Sequence, residues 1–190
     1  MKIKSVLLVS SCLIASAPFT RAQEPDLSAL MGLLGAAANQ STSTVAVVDF
    51  RELKALLPDA IKSYKRTGAS GEKNSMMGMS VSEAAGQYAA GDATLSVKIV
   101  DYSGTFLAGM MGAWAMHEID RESDTGYERT TTIGGHKALE KYDSSDKTGD
   151  LQILVAGRFM VEIGLRGGEA QDLQAAAAAI DLNKLAALKK

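Results

Sequence analysis

The feature that most constrains the fold is a pair of alternating segments near the end of the chain. Apolar residues recur at every second position in Leu151–Val155 and again in Phe159–Leu165, and Gly157-Arg158 separates the two runs. Successive side chains of a β-strand point to opposite faces, so a period of two predicts two strands, each with one buried face. The short glycine-containing break predicts that they form an antiparallel hairpin.

Other segments show the same strand pattern less clearly. Leu95–Ile99 alternates after the turn signal Gly91-Asp92, and its expected partner is Val81–Ala89. That partner is ambiguous, because Ser80 and Glu83 have capping-box spacing and the alanines that follow suit a helix equally well. Strand or helix is therefore left open for residues 81–89.

Further strands are predicted on both sides of this region. The Thr-rich segment Tyr127–Ile133 and the segment His136–Tyr142 flank a Gly134-Gly135 turn. A short strand is also predicted for Val45–Phe50. Tyr64–Lys73 is polar and contains glycine, which predicts an edge strand and a loop.

Helices are predicted between and after the strands. Asp49 and Glu52 have capping-box spacing and begin a short helix that Pro58 ends. Ser103–Met116 has no charged residue and is too short to span a bilayer, so we expect a buried central helix. A C-terminal helix is predicted from the apolar face formed by Leu173, Ala176, Ala177 and Ile180. Asp181 then caps a final helical turn that contains Leu185 and Leu188.

Hairpin-length turns with a few interspersed helices predict the α+β class. We expect an antiparallel sheet built from hairpins and packed by the central apolar helix and the C-terminal helix. The segments Asp49–Leu53, Lys98–Asp101 and Ile133–Gly135, followed by the closing hairpin and helix, resemble small exported bacterial α+β proteins of unassigned function. At the level of fold, the pattern is also similar to the sheet-and-helix sandwiches of PsbP-type proteins.

The first 22 residues have the layout of a secretory signal peptide. Lys2 and Lys4 precede the uncharged stretch Val6–Ala17, and Ala22 supplies the small residue at the expected cleavage site. We expect three parts: the signal peptide at 1–22, an N-terminal helix and linker at 23–44, and a single α+β domain at 45–190. Lipidation at Cys12 is the alternative, but it would leave an unusually short apolar stretch.

Composition excludes several classes of function. The net charge is −2, and loss of three leader cations without any acid leaves −5, whereas nucleic-acid binding needs clustered Lys and Arg. Cys12 is the only cysteine and departs with the leader, so thiol and disulfide chemistry are absent from the mature chain. No later segment is long enough for a transmembrane span.

One pair of short motifs suggests an enzyme, but its sequence context argues against one. Ser70 and Lys73 fit S-x-x-K, and Lys147 opens K-T-G before a strand, as in penicillin-recognising enzymes. Ser70 stands in a polar, glycine-containing segment, and no S-x-N or S-D-N element lies between the two motifs. Ser144 and Lys147 repeat S-x-x-K, which shows how readily the pattern arises.

Two further patterns suggest metal sites, and each has a simpler explanation. Acidic residues from Asp120 to Glu128 suggest a calcium loop, but Gly126 falls at the seventh position rather than the sixth. Soft thioethers bind Cu(I), and methionines cluster near His117 and before residue 80. Gap-filling in a core poor in aromatics also explains them, and no H-x-M ligand set is present. The methionines concerned are Met76, Met77, Met79, Met110, Met111 and Met116.

The sequence therefore predicts no catalytic, cofactor-binding or metal-binding residue, and no cofactor. We expect an uncharacterised exported protein of the periplasm or medium, a non-enzymatic module that binds an envelope component, a partner protein or a small apolar ligand. This expectation rests on the leader and on two uncharged helical segments, Leu27–Ala38 and Thr105–Met116. The alternatives are a serine acyl-transfer enzyme or hydrolase using Ser70 and Lys73, and a Met-rich Cu(I)-binding periplasmic protein.

Overall fold

The computed structural model describes residues 46–76, 79–104 and 116–189, all within the unit Ser41–Lys190. Within these residues, nine strands form one sheet in which every neighbouring pair is antiparallel. The strands are β1 (Ala60–Ile61), β2 (Tyr64–Met76), β3 (Met79–Ala90), β4 (Ala93–Gly104), β5 (Asp120–Ser123), β6 (Gly126–Ile133), β7 (His136–Asp143), β8 (Thr148–Val155) and β9 (Phe159–Arg166).

The strand order is β1-β2-β3-β4-β9-β8-β7-β6-β5. Two meanders, β1 to β4 and β5 to β9, therefore meet where β4 pairs with β9. Their register places Val97 opposite Ile163 and Ile99 opposite Val161, so the two central strands align their buried residues. The sheet face that carries these residues is consequently apolar where the two meanders meet.

The described part of the chain also contains three short helices: α1 (Phe50–Lys54), α2 (Ala170–Ala178) and α3 (Leu182–Ala187). Each begins at an acidic residue, because a carboxylate can accept hydrogen bonds from the free N–H groups of the first turn. Asp49 accepts from the Arg51 backbone N–H, and Asp181 accepts from that of Lys184. Glu169 and Asp172 form a reciprocal capping box at the start of α2.

The sheet has one face that carries the helices, which we call the core face, and a second that we call the open face. Odd-numbered residues of β4 and β9 point to the core face and are buried together with Leu53, Leu173 and Leu185 of the helices. All three described helices lie on this side. The two ends of the open face differ. At one end the side chains are apolar and buried, namely Val100, Leu154 and Met160, and at the other end they are polar.

The structure confirms the antiparallel sheet, and its short helices agree with the α+β class at that level. The closing hairpin forms as β8 and β9, joined by a three-residue loop, and residues 91–92 form the predicted turn between β3 and β4. Residues 81–89, left open by the sequence, belong to a strand. The helix stripe Leu173, Ala176, Ala177 and Ile180 is buried as expected.

Two predictions of local structure were wrong, the second of them only in part. Residues 46–49 are not a strand, and Phe50 already begins α1, because the Asp49 carboxylate caps a helix there. Tyr64–Lys73 contains no loop, because it belongs to the 13-residue β2. Beyond Lys65 it does lie at the edge of the sheet, since β1 pairs only with Tyr64 and Lys65. The acidic segment before Tyr127 forms a strand that the sequence did not predict, the exposed β5.

Several predicted segments lie outside the described residues, namely the leader 1–22, the N-terminal helix Leu27–Ala38 and residues 105–115 of the central helix. Ser103 and Gly104, expected to open that helix, belong to β4 instead. Packing by a central helix therefore stays a prediction.

Among the described residues, no helix is both long and apolar enough to cross a membrane.

Candidate functional site: a polar groove on the open face

A glycine inside a central strand marks the candidate site. Glycine weakens a strand, and its presence there often reflects close approach of another group. At Gly149 in β8 that group is Leu173 of α2, whose Cδ1 would lie 2.8 Å from an added Cβ. At Gly164 in β9, the only described groups within 4 Å of an added Cβ are the Ser96 hydroxyl at 2.9 Å and an Asp150 carboxylate oxygen at 3.8 Å. Gly164 therefore leaves a hollow on the open face.

The hollow is the floor of a groove across β3, β4, β9 and β8. Its main cavity has a volume of about 720 Å³, and an adjoining one of about 260 Å³ shares Gln87, Ser96, Asp150 and Gly164 with it. Small-molecule sites commonly have volumes of several hundred Å³. The side chains that line the main cavity from the open face are Gln87, Thr94, Ser96, Thr148, Asp150 and Arg166.

This lining is polar, and four adjacent strands contribute to it. Register places Ser96 and Asp150 on either side of Gly164, since Ser96 pairs with Gly164 across β4 and β9, and Asp150 pairs with it across β8 and β9. Amide, hydroxyl, carboxylate and guanidinium groups thus converge on one hollow. Such a set can exchange hydrogen bonds with a polar ligand in both directions.

Lys98 lines the adjoining cavity, and two carboxylates keep its side chain in the charged form. Its Nζ lies 3.5 Å from Glu83 Oε2 and 4.0 Å from Glu162 Oε2. Burial lowers the pKa of Lys98, but the attraction of Glu162 and Glu83 outweighs burial, so the pKa is raised overall. Lys98 is therefore an ion-paired ammonium and not a neutral amine nucleophile.

A buried ion pair lies at the opposite end of β4, on the core face. Burial raises the pKa of Asp101, but hydrogen bonds from Arg158 and from the backbone N–H groups of Val48 and Ser103 outweigh burial and lower it. Arg158 also donates to the Ala46 carbonyl at 3.0 Å. The pair therefore anchors the chain that enters α1 to the sheet, which is a structural role.

Glu140 forms a second buried cluster on the core face of β7. It accepts hydrogen bonds from the Tyr127 hydroxyl at 2.9 Å and from Arg129 Nη2 at 3.0 Å. Burial, reinforced by the Glu140 carboxylate, raises the pKa of Tyr127 to about 12. Tyr127 therefore stays protonated and donates to Glu140, so the cluster is a satisfied polar core.

Polar contacts also fix the start of α2. The Tyr64 hydroxyl donates to Asp172 at 2.9 Å, and Tyr142 donates to the Gly168 carbonyl at 3.0 Å. Burial, together with the bond to Asp172, raises the pKa of Tyr64 to about 12. These contacts hold the helix against the sheet and leave no free base or acid among them.

The structure does not bring the S-x-x-K and K-T-G residues together. Ser70 and Lys73 both lie in β2, and positions three apart on a strand point to opposite faces. Lys147 lies in the β7–β8 turn, about four strand spacings or 19 Å from β2, and its Nζ contacts Glu169 at 2.9 Å. None of the three lines the groove.

The other candidates from sequence are also separate from the groove. His117 is exposed, and His136 begins β7 opposite Ile133. Asp120 and Glu122 lie on the exposed strand β5, and within the described ranges no group of three or more His, Cys, Asp or Glu residues could hold a metal ion. Met116 is 85% exposed, whereas Met77, Met110 and Met111 lie outside those ranges.

Sequence reasoning did not find the groove. The signal that could have found it is the alternation in β9, where Met160, Glu162, Gly164 and Arg166 share the face opposite to the apolar residues. A glycine within such a polar row is unexpected in a strand unless space is needed there.

Comparison of the chain with protein-family models, with curated proteins and with solved structures gave no match.

Proposed function

We propose that this chain is an exported, non-enzymatic binding module that holds a polar ligand in the groove over Gly164. The signal-peptide pattern of residues 1–22 supports export. The groove supports binding, since it is a hollow of adequate volume lined by hydrogen-bonding groups from four strands. The polar lining changes the expected ligand from a small apolar molecule to a polar one.

The observation that carries this proposal is Gly164 itself. A side chain at that position would project between Ser96 and Asp150 and fill the hollow. At core-face glycines of the neighbouring strands, other protein groups fill the space in which a side chain would stand. At Gly86, for example, an added Cβ would lie 2.8 Å from the Tyr88 hydroxyl. Space at Gly164 is left for something other than the described part of the protein.

Binding without catalysis fits the same geometry better than acyl transfer does. A serine nucleophile needs a base within hydrogen-bond reach, and Ser70 and Lys73 point to opposite faces of β2. Among the groove's hydroxyls, that of Ser96 donates to the Gly164 carbonyl at 3.5 Å, and no hydrogen bond from it to a histidine or lysine is found among the described residues. The serine acyl-transfer hypothesis is thus less well supported than binding.

Chemical-shift mapping tests the proposal directly. The protein recovered after export from an expressing bacterium would be labelled with ¹⁵N and titrated separately with alanylalanine, succinate, putrescine and trehalose, one probe for each charge type. We expect at least one probe to shift resonances of Ser96, Asp150 and Gly164 in a saturable way. If all four leave those resonances unchanged up to 10 mM, roughly the weakest affinity worth assigning, the proposal fails.

A filled groove provides the second arm of the experiment. Gly164→Leu should abolish the saturable shifts, while Gln174→Leu, an exposed position on α2, should leave them intact. If Gly164→Leu does not fold, Asp150→Asn and Ser96→Val test the same floor with smaller changes. Undiminished binding in all of these folded groove variants would contradict the proposal.

A further inference from the structure

We infer that the main cavity of the groove selects a zwitterion, meaning a ligand with one free carboxylate and one free ammonium group. An α-amino acid or a short peptide with unblocked ends has this chemistry. The inference rests on the proposed binding function and adds the class of ligand. It is carried by two groove residues of opposite charge, Arg166 and Asp150.

Arg166 is exceptional among the arginines. The described residues contain six of them, and five form an ion pair with a carboxylate, namely Arg51, Arg66, Arg121, Arg129 and Arg158. No hydrogen bond or ion pair of the Arg166 side chain is found with any described residue. Its guanidinium is therefore available to a ligand, and its fork of N–H donors matches a carboxylate.

The neighbours of Arg166 suit the same kind of ligand. In register, Thr94 of β4 lies on one side of Arg166 and Thr148 of β8 on the other. All three line the main cavity. Two hydroxyl donors beside a guanidinium can complete the hydrogen bonding of a bound carboxylate, which accepts up to about four hydrogen bonds.

Asp150 provides the complementary charge. It faces the same cavity from β8, opposite Gly164, and its side chain likewise has no hydrogen bond or ion pair within the described part of the chain. The missing side chain at Gly164 leaves its carboxylate accessible, with Oδ1 3.8 Å from the point where a Cβ would stand. An ammonium group entering the hollow would therefore meet Asp150.

The two charges stand at a spacing that a small ligand can bridge. Asp150 pairs with Gly164, two residues before Arg166, so the two residues are diagonal neighbours, about 7–8 Å apart at the backbone. They form no ion pair with each other within 4 Å, in contrast to Lys98, which Glu83 and Glu162 neutralise in the adjoining cavity. One unpaired cation and one unpaired anion are complementary to a zwitterion.

Titration calorimetry with capped ligands tests the inference. The probes are alanine, alanylalanine, N-acetyl-alanylalanine and alanylalanine amide, so that each cap removes one charge. We expect the better of the two free zwitterions to bind, and either cap to weaken alanylalanine binding by about fivefold or more, as loss of a charged hydrogen bond implies. Comparison of alanine with alanylalanine distinguishes an amino acid from a peptide.

Two groove variants assign the ends of the ligand. In Asp150→Asn, free and N-acetylated alanylalanine should bind equally, and in Arg166→Gln, the free dipeptide and its amide should bind equally. The matched controls Asp124→Asn and Arg51→Gln, which are exposed and outside the groove, should keep the full discrimination. Folding of each variant is checked by its ¹H–¹⁵N spectrum.

The outcomes separate this inference from the proposed function. If succinate, putrescine or trehalose binds over Gly164 and neither zwitterion does, the groove is a binding site but the inference is wrong. Equal affinity for free and capped dipeptides also overturns it. If no probe of any charge type binds, both proposals fail.

Discussion

Arg158 donates two hydrogen bonds to Asp101, from Nε to Oδ1 at 3.1 Å and from Nη2 to Oδ2 at 2.8 Å. The side chains of Arg158 and Asp101 are 6% and 0% exposed. Because both charges are removed from water, each needs the other to compensate for its lost hydration. The same carboxylate accepts from the Val48 N–H at 2.8 Å. The ion pair therefore links the sheet to the segment that precedes α1.

Removing one partner of this pair should be strongly destabilising. Arg158→Met leaves a buried carboxylate without its counter-charge, for which we expect a loss of about 3–5 kcal/mol in the free energy of unfolding. Urea denaturation of the two proteins measures the difference. Arg51→Met, which removes one side of an exposed pair, should change the value by less than about 1 kcal/mol.

The double variant Asp101→Leu with Arg158→Met distinguishes an unpaired charge from lost packing. Replacing both partners removes the buried charge altogether, so the double variant should be more stable than Arg158→Met alone. The single variant Asp101→Leu is measured as well. If the double variant loses as much free energy of unfolding as the two single variants together, the ion pair is not what holds the segment before α1 to the sheet.

The lowered pKa of Asp101 predicts loss of stability in acid. In the folded state, hydrogen bonds keep the carboxylate ionised below the pH at which it would be protonated in the unfolded chain. Its contribution is thus present above the unfolded pKa of about 4, and is lost as pH falls through the lower folded value. Asp101→Asn should flatten the acid limb of a plot of unfolding free energy against pH.

The acid limb should not disappear in that variant, because Asp172 also has a lowered pKa. Burial raises the pKa of Asp172, but hydrogen bonds from the Glu169 backbone, Tyr64 and Lys62 outweigh burial. Asp92→Asn, a change in an exposed turn, should keep the full acid dependence. An unchanged acid limb in Asp101→Asn would contradict the prediction.

Tyr127 predicts a transition at the alkaline end. Its pKa is raised to about 12 in the folded protein, so the folded state holds a proton that the unfolded chain releases near pH 10. The stabilising contribution of this proton is complete below pH 10 and is lost as pH rises towards 12. Tyr64 has the same raised value for similar reasons and titrates with it.

Absorbance at 295 nm measures this titration. Tyr127→Phe should remove one of the late-ionising tyrosines and cost about 1 kcal/mol at neutral pH, because Glu140 loses one hydrogen-bond donor. Arg129 still pairs with Glu140 in the variant, which limits the loss. If Tyr127→Phe leaves the amplitude of the titration step near pH 12 unchanged, the Tyr127–Glu140 bond does not form.

Two alanine substitutions should separate the faces of the sheet. Gly149→Ala places a Cβ 2.8 Å from Leu173 Cδ1 and 2.9 Å from the Lys141 carbonyl, so we expect a loss of about 1–3 kcal/mol. Gly164→Ala has only the Ser96 hydroxyl within 3 Å, and a surface side chain can move away. We expect less than about 1 kcal/mol for that change, measured by urea denaturation.

A loss at Gly164→Ala as large as that at Gly149→Ala would show that packing, and not an open groove, explains the glycine in β9. Gly134 gives no such comparison, because its φ of +57° makes any side chain strained.

Strand alternation explains how much of the fold was predictable from the sequence. In β8 and β9 every core-face position is apolar apart from Gly149, so the period of two is plain. In β2 it is not, because Lys65, Arg66 and Thr67 are all exposed and the strand extends beyond the core. Backbone pairing with β3 holds β2 in place. Such pairing does not require an alternation of apolar and polar side chains, so the sequence of β2 does not show it.

The same alternation contained signals for polar residues that were overlooked. Asp101 continues the buried series Leu95, Val97 and Ile99, and Glu140 stands between Ala138 and Tyr142 on the core face. Period alone therefore places both carboxylates inside. Their partners could not be predicted, because Arg158 lies in a loop and Arg129 on another strand, and only the sheet order brings them together.

Processing of the leader is a prediction that is independent of the groove. Export should remove residues 1–22, because Lys2 and Lys4, the apolar stretch and Ala22 supply the three parts that signal peptidase recognises. Intact-mass measurement of the exported protein should give a chain that begins at Gln23 and carries no lipid. Ala22→Arg should slow cleavage and leave a longer cell-associated form, since a large charged residue does not fit the cleavage site. Cys12→Ala is the matched control, because it should change nothing if Cys12 is only part of the apolar stretch. A mature protein that begins at a lipid-modified Cys12 would instead show that this chain is held at a membrane surface.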